Sequence, residues 1–401
     1  MLKNQVLVLN CGSSTIKFAV IHPQSGETAI NGLVDCIGLP ESIMVWRQTG
    51  QEKQQKKFNT IDYTASVKEI IQLLSSVNLL DQVMAVGHRI VQGASYFHES
   101  MIITQEVISK IDRCCCLAPL HNPAHVIGVK AMMKVFPELP QVAVFDNAFH
   151  QTMPERAYLY AIPYELYEKH QIRRYGFHGT SYRYVSAQAA RRLNKPLTSL
   201  ALIAAHLGNG CSVAAILDGK SMDTSMGLTP LEGLVMGTRS GNVDPGLPEF
   251  LLDELHYHND IQEVTKILNK KSGLLGISGI SSDMRAIEQA AAGGHKRAQL
   301  AEELFTYRLA KYIMSYLVPL DGRFDALIFT AGIGENSSII RSKVLGYLKA
   351  LHFEIDEERN AVHGRDTQGI ITTEGTPIAM VVPTNEEWMI AQDTEALIRG
   401  L

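Results

Sequence analysis

Apolar residues fill positions 5–10 (Q-V-L-V-L-N) and 16–21 (I-K-F-A-V-I), and the polar stretch C-G-S-S-T separates them. Two short apolar runs around a glycine-bearing turn predict a strand hairpin. Helical periodicity follows at 65–74, 105–115 and 124–135, and a short apolar strand at 142–145 ends on Asp146. A helix capped by Thr180 or Ser181 is predicted to run to about Leu193. A meander comes next, with strands at 200–205, 211–217 and 221–224 turning at L-G-N-G and D-G-K. Helices are predicted at 261–269, 282–291 and 295–317, then a buried strand at 326–330. Helices at 337–348 and 386–397 flank a last strand at 378–382. Strands alternating with helices, plus isolated hairpins, define an α/β architecture.

The first hairpin has an echo. V-L-V-L-N-C-G-S-S-T-I-K-F-A-V aligns by its glycine with L-I-A-A-H-L-G-N-G-C-S-V-A-A-I, about half a chain length further on. Each reads strand, polar residue, spacer, glycine, polar turn, strand. A half-length offset favours a duplicated fold with two halves facing each other across a cleft. At 401 residues the chain is too long for one ordinary core. Two domains are expected: 1–150, joined by a C-terminal helix at 386–401, and 151–385.

Composition mainly removes alternatives. Apolar residues are 46% and charged residues 19% of the chain, ordinary for a globular enzyme. The net charge is −4 with Lys and Arg scattered, so no nucleic-acid partner is expected. No run approaches the ~18 apolar residues of a membrane span, and no membrane association is expected. Met-Leu-Lys-Asn-Gln enters a strand at once, so no secretory leader is expected. Of six cysteines, Cys114, Cys115 and Cys116 are consecutive and poorly placed to bridge one another. A reducing, cytoplasmic compartment fits best, with that run read as small buried apolar residues.

Phosphate needs backbone N–H groups and small hydroxyls brought close, which glycine permits. N-C-G-S-S-T-I-K and H-L-G-N-G-C-S both supply them, although plain hairpin turns use the same residues. A Walker A loop fails at Ala214, and G-I-G-E-N-S lacks the third glycine of a dinucleotide fingerprint. His121 and His125 stand four apart, but Pro123 and the missing glutamate argue against zinc. G-T-R-S-G-N sets Arg239 between glycines, where a guanidinium can meet an oxyanion bidentately, and G-H-R presents His88 and Arg89 at a strand end. Y-G-F-H-G-T places His178 between glycines. Asp146 closes a strand, suited equally to Mg²⁺ through water or to capping. T-A-G-I-G-E-N-S leads from strand to helix, suited to a phosphate or an adenosine.

Taken together these segments resemble the acetate kinases and their propionate and butyrate kinase relatives. The matching stretches include V-L-N-C-G-S-S-T-I-K, G-H-R-I-V, A-P-L-H-N-P, V-F-D-N-A-F-H-Q-T-M-P, R-R-Y-G-F-H-G-T-S, H-L-G-N-G, D-T-S-M-G-L-T-P-L-E-G-L-V-M-G-T-R-S-G, F-T-A-G-I-G-E-N and P-T-N-E-E. The resemblance implies the duplicated ribonuclease-H-like fold of acetate and sugar kinases, Hsp70 and actin, with two domains around a central cleft. It implies reversible in-line transfer of the ATP γ-phosphoryl to acetate, with Mg²⁺ or Mn²⁺ as the metal, and a homodimer. By the same resemblance Asn10 and Glu386 organise the metal, with Asp146 beside them. Arg89 and Arg239 hold the acceptor carboxylate and the phosphoryl group, and His178 stabilises the phosphoryl in transfer. His206, Leu207, Gly208, Asn209 and Gly210 match ATP phosphate contacts, and Lys17 borders them. Asp283, Met284, Arg285, Gly332, Ile333, Gly334, Glu335 and Asn336 match the adenosine site. Val91, Leu120, Phe177 and Pro230 match the pocket for the acceptor's alkyl end.

Departures cluster near the acceptor. Thr15 stands for a serine, Gln92 and Ala94 for the His and second Gly of H-R-x-x-H-G-G, and Asn147 for a threonine. Tyr182 stands for a histidine, Asn242 for an aspartate and Ala331 for a glycine. Valine at 91 is the residue typical of acetate enzymes, so acetate is expected ahead of propionate. A nucleotide-binding module of the actin or Hsp70 kind shares the hairpins but has no use for Arg89, Arg239 and an alkyl pocket.

Overall fold

The apolar run near the start forms β1 (Gln5–Cys11), and the chain returns antiparallel as β2 (Ile16–Ile21). The turn closes through a hydrogen bond from the Gly12 N–H to the Thr15 carbonyl at 2.8 Å. In this computed structural model residues 3–119, 121–254 and 260–400 are described. The predicted pocket residue Leu120 lies outside them.

Both faces of β1 are covered, which is why it reads as continuous apolar sequence rather than an alternation. Leu7, Leu9 and Cys11 join a core with Val67, Ile70 and Leu74 of helix α1 (Tyr63–Ser76). Val6 and Val8 face the other way, onto Ile390 and Ala391 of the C-terminal helix Glu386–Arg399. Helices α2 (Gln105–Arg113) and α3 (Asn122–Val135) pack nearby, α3 adding Ala131 and Met132 to the first core.

The first sheet continues with β3 (Thr28–Asp35), β4 (Ile43–Gln48), β5 (Gln54–Lys57), β6 (Val83–Ile90), β7 (Met101–Ile102) and β8 (Gln141–Phe145). Its order is β5-β4-β3-β2-β1-β6-β8-β7, with β6 parallel to β1 and β8 parallel to β6. At Gly87 of β6 a Cβ would lie 2.5 Å from Thr394 Oγ1, so glycine lets the C-terminal helix approach the sheet. This unit spans Met1–Phe149 and Asn385–Leu401.

The second unit, His150–Thr384, is built on β9 (Ala201–Leu207), β10 (Cys211–Leu217), β11 (Lys220–Thr224), β12 (Ala326–Thr330) and β13 (Ile378–Val381). Its order is β11-β10-β9-β12-β13, the first three antiparallel and the last two added in parallel. Strands β3-β2-β1-β6-β8 repeat that order and those senses, so the echoing hairpins occupy equivalent places in two copies of one α/β plan. Helices α4 (Gly179–Arg192), α5 (Met284–Ala292) and α6 (Ala331–Asn336) belong to the same unit.

Two expectations need correction, and three strands went unforeseen. Helix α4 starts at Gly179, with His178 at the capping position in the left-handed region (φ 59) and neither Thr180 nor Ser181 as cap. The run Cys114–Cys116 is a short 3-10 turn in which Cys114 is buried, Cys115 half-buried and Cys116 exposed, so the buried reading holds for the first alone. Strands β3 to β5 escaped the periodicity because they run to the sheet edge, where β5 is Gln-Gln-Lys-Lys and fully exposed.

Candidate functional site

Parallel strands end on the same side, and ligands in such sheets collect beyond their carboxyl ends. In the first unit Asn10 sits near the end of β1, Arg89 near the end of β6, and Asp146 just past β8. Register pairs Leu9 with His88 and Arg89 with Val144, which brings the three positions side by side. The Arg89 Nε donates to Asp146 Oδ1 at 3.0 Å and Oδ2 at 3.1 Å, and Nη2 donates to Oδ2 at 2.6 Å. Burial works against the charge of Arg89, but Asp146 and Glu386 more than restore it. Burial likewise raises the Asp146 carboxyl against the pull of Arg89. The immediate partner of Asp146 is thus an arginine; the sequence had offered metal or cap.

Glu386 opens the C-terminal helix, whose cap is Asn385 through a bond from Trp388 N at 3.0 Å. Asn10 and Glu386 are oxygen donors of the kind that Mg²⁺ prefers. Among the described residues no group of three His, Cys, Asp or Glu could hold a metal. One or two protein oxygens completed by phosphate and water is the usual Mg²⁺ arrangement, so this donor set fits that ion. Lys17 is exposed on β2, opposite Asn10. Val91 is buried just past β6.

In the second unit the β9–β10 hairpin turns at Gly208–Gly210, closed by a Gly208 N–H bond to the Gly210 carbonyl at 3.1 Å. A Cβ on Gly210 would stand 3.5 Å from both His178 Nε2 and Arg239 Nη1. An imidazole nitrogen and a guanidinium therefore converge on one space that glycine keeps clear. The His178 ring stacks on His206 with centroids 4.0 Å apart and planes 17° apart. His178 Nδ1 lies 2.8 Å from Ser212 Oγ, and His206 Nδ1 lies 2.9 Å from Ser181 Oγ.

Arg239 is half-buried, and its Nη1 donates to the Pro230 carbonyl at 3.3 Å. Burial pulls its pKa down, and no carboxylate offsets that among the described residues. Phe177 is buried beside His178, its carbonyl accepting from His150 Nε2 at 2.9 Å. Sequence reasoning missed Arg174, which holds the segment leading to Pro230. It pairs with Glu232 at 2.6 Å and donates to the carbonyls of Thr224, Ser225 and Met226. Only the R-R doublet before Y-G-F-H hinted at it.

Beside this convergence lies a cavity of about 620 Å³ lined by Gly208, Asn209, Asp283, Met284, Arg285, Gly332, Ile333 and Asn336, together with Ser282, Glu288 and Ser337. That volume suits a small-molecule ligand such as a nucleoside. Leu207, Gly334 and Glu335 are not part of its lining. Leu207 is fully buried in β9 and Gly334 is buried in α6. The Glu335 carboxylate turns to the backbone, accepting from Ala331 N at 2.9 Å and Thr384 N at 3.0 Å.

A model of the acetokinase family matches residues 5–392. An acetate kinase of Shewanella sp. (strain ANA-3) is 55% identical over 395 residues, covering 98% of both chains. Among solved structures, a propionate kinase from Francisella tularensis subsp. tularensis is 46% identical with TM-score 0.93, covering 98% of this chain and 99% of that one. Porphyromonas gingivalis acetate kinase is 42% identical with TM-score 0.91, over 98% of this chain and all of the other. The duplicated ribonuclease-H-like architecture and these likenesses agree, and the chain belongs to the acetokinase family.

Proposed function

We propose that this chain is a short-chain carboxylate kinase that moves the γ-phosphoryl group of ATP onto acetate, reversibly and in line, giving acetyl phosphate and ADP. The observation that carries the reading is the meeting of His178 Nε2 and Arg239 Nη1 over Gly210, next to the cavity edged by Gly208 and Asn209. A carboxylic acid of pKa near ~4.8 is already ionised at neutral pH, as side-chain carboxyls are, so the reaction needs no general base. It needs cancellation of repulsion between two anions and alignment of the attacking oxygen.

The residues divide this work. Arg89, kept charged and aimed by Asp146, takes the acceptor carboxylate. Arg239 and His178 take the phosphoryl oxygens, and the hairpin backbone at Gly208–Gly210 with His206 takes the remaining phosphates. Asp283, Arg285, Gly332, Ile333 and Asn336 hold the adenosine. By family resemblance Val91 in the first unit, and Phe177 and Pro230 in the second, are the residues assigned to the acceptor's alkyl end. Asn10 and Glu386 would hold Mg²⁺, which when bound neutralises phosphate charge. The valine at 91 favours acetate, whereas one more methylene costs only ~1–3 kcal/mol in such a pocket, so propionate is the competing acceptor. No helix among the described residues is long and apolar enough to cross a membrane. Six free cysteines suit a reducing cytoplasm. We assign nucleotide binding and dimerisation to residues 150–384, the homodimer resting on family resemblance.

Hydroxylamine trapping of acyl phosphate tests the reading, with ATP, Mg²⁺ and acetate, propionate or butyrate. Acyl hydroxamate is expected from acetate. ATP binding without hydroxamate from any of the three would leave a nucleotide-binding module instead. Comparing kcat/KM for acetate and propionate, before and after Val91→Ala, decides the acceptor; a preference for propionate in the unmodified enzyme would reverse the assignment.

A further inference from the structure

The stack on His206 fixes the plane of the His178 ring but not which nitrogen points at the space over Gly210, since a half-turn flip preserves a stack. Ser212 makes that choice. It stands opposite His206 across the β9–β10 hairpin, fully buried, with its Oγ 2.8 Å from His178 Nδ1. The same Oγ is hydrogen-bonded to the hydroxyl of Tyr182, also fully buried. Tyr182 follows His178 by one helical turn of α4, so both side chains reach the same neighbour. Its ring edge meets His206 and His150.

We infer that Tyr182 and Ser212 are positioning residues that hold His178 as the Nε2–H tautomer, so that the ring donates a hydrogen bond to the transferring phosphoryl group. The inference rests on the proposed function and adds to it the direction of a proton chain. A phenol is more acidic than an aliphatic hydroxyl, so Tyr182 is the donor to Ser212. The Ser212 proton then turns to His178 Nδ1, because hydrogen bonds in a chain reinforce one another when they run one way. With Nδ1 accepting, the neutral ring carries its proton on Nε2. Nε2 is the atom 3.5 Å from the ideal Cβ position of Gly210, as is Arg239 Nη1. Two donors then face one anion. The opposite polarity would aim a lone pair at the phosphoryl oxygens.

The test combines steady-state kinetics with ¹⁵N spectra of histidine-labelled enzyme, the His178 resonances being those lost in His178→Gln. Ser212→Ala should lower kcat roughly 10–100-fold, part of the effect of losing one preorganised donor. KM for ATP and for acetate should stay within about threefold. Tyr182→Phe should lower kcat less, and Ser212→Thr, which keeps the hydroxyl, should recover most of the rate. The spectrum should show Nε2 protonated in the unmodified enzyme and a tautomer mixture in Ser212→Ala. Both kcat values within twofold of the unmodified enzyme, or a lowered kcat with the tautomer unmoved, would overturn the inference. Should the unmodified enzyme phosphorylate no carboxylate, the functional reading falls, and the ¹⁵N spectrum still decides the tautomer.

Discussion

The Asp146 carboxylate accepts three hydrogen bonds from the Arg89 guanidinium, at 2.6, 3.0 and 3.1 Å, across the ends of two adjacent parallel strands. Asp146 is almost wholly buried, while the Arg89 side chain is 21% exposed, so the pair shows its cation outward. Such a pair suits the anion-binding role proposed for Arg89, with the counter-charge placed behind the guanidinium.

Arg89→Ala therefore has two separable consequences. It strands a buried carboxylate, a change that costs about 3–5 kcal/mol in other proteins. It also removes the cation proposed to hold the acceptor, a loss expected to cost on the order of 2–4 kcal/mol of barrier. Adding Asp146→Ala should restore part of the urea midpoint lost in the single variant, with kcat/KM for acetate still depressed. Equal midpoints in the single and double variants would contradict the pairing.

Arg239 should behave in the opposite way. Its guanidinium is half-buried against the Pro230 carbonyl, and no carboxylate among the described residues offsets the burial. Truncation removes an unfavourable burial, so Arg239→Met should leave Tm unchanged or higher. The rate should fall by about 10²–10³, the scale of one preorganised donor aimed at developing charge. Thermal melts run beside kcat measurements decide it; a large loss of Tm would mean that Arg239 serves the fold.

Two alanines sit where the backbone prefers glycine, Ala94 at φ 49 and Ala331 at φ 63. A left-handed alanine costs roughly 1–2 kcal/mol, less the ~0.5–1 that glycine's freedom takes back. Ala94→Gly should thus stabilise by about 0.5 kcal/mol. Asn147 meanwhile clamps this loop, accepting from Gly93 N at 2.9 Å and donating to the Ala94 carbonyl at 3.0 Å. Asn147→Thr gives up this buried pairing and should destabilise by about 1–3 kcal/mol. Denaturant midpoints of the two single variants, shifting in opposite directions, are the check.

The hairpins were legible because β1 and β9 are covered on both faces, so each reads as an unbroken apolar run ending in a polar residue and a glycine turn. The Arg89–Asp146 pair was not, because it depends on the register between β6 and β8, which tertiary pairing sets. The His178 turn was hidden for a related reason. Its left-handed backbone and its ring contacts with His206 and Ser212 outweigh the local capping preference of Thr180 and Ser181. The cavity-lining residues were grouped only through resemblance, since Asp283 caps one helix and Gly332 lies in another, and the two meet at one cavity. Glu335 was matched to the same site, and its Oε1 accepts from two backbone N–H groups that no local pattern announces.

His88 gives a pH dependence unrelated to catalysis. It is buried on β6 and donates from Nε2 to Gln141 Oε1 at 2.8 Å. Burial lowers its pKa from 6.5 to about 4, against the smaller upward pull of Gln141. His150 in the second unit, buried and bonded to the Phe177 carbonyl, is also lowered to about 4. Between pH 6.5 and 4 the unfolded chain binds a proton at each of these histidines that the folded chain does not. Stability is therefore fully present above pH 6.5 and falls with acid through that window, each group adding up to about 1.4 kcal/mol per pH unit. His88→Gln removes one such proton and keeps an amide donor. Unfolding free energies at pH 7, 6 and 5 should fall less steeply in that variant, by close to one proton's worth between pH 6 and 5. Identical slopes would mean that His88 already carries its proton in the fold.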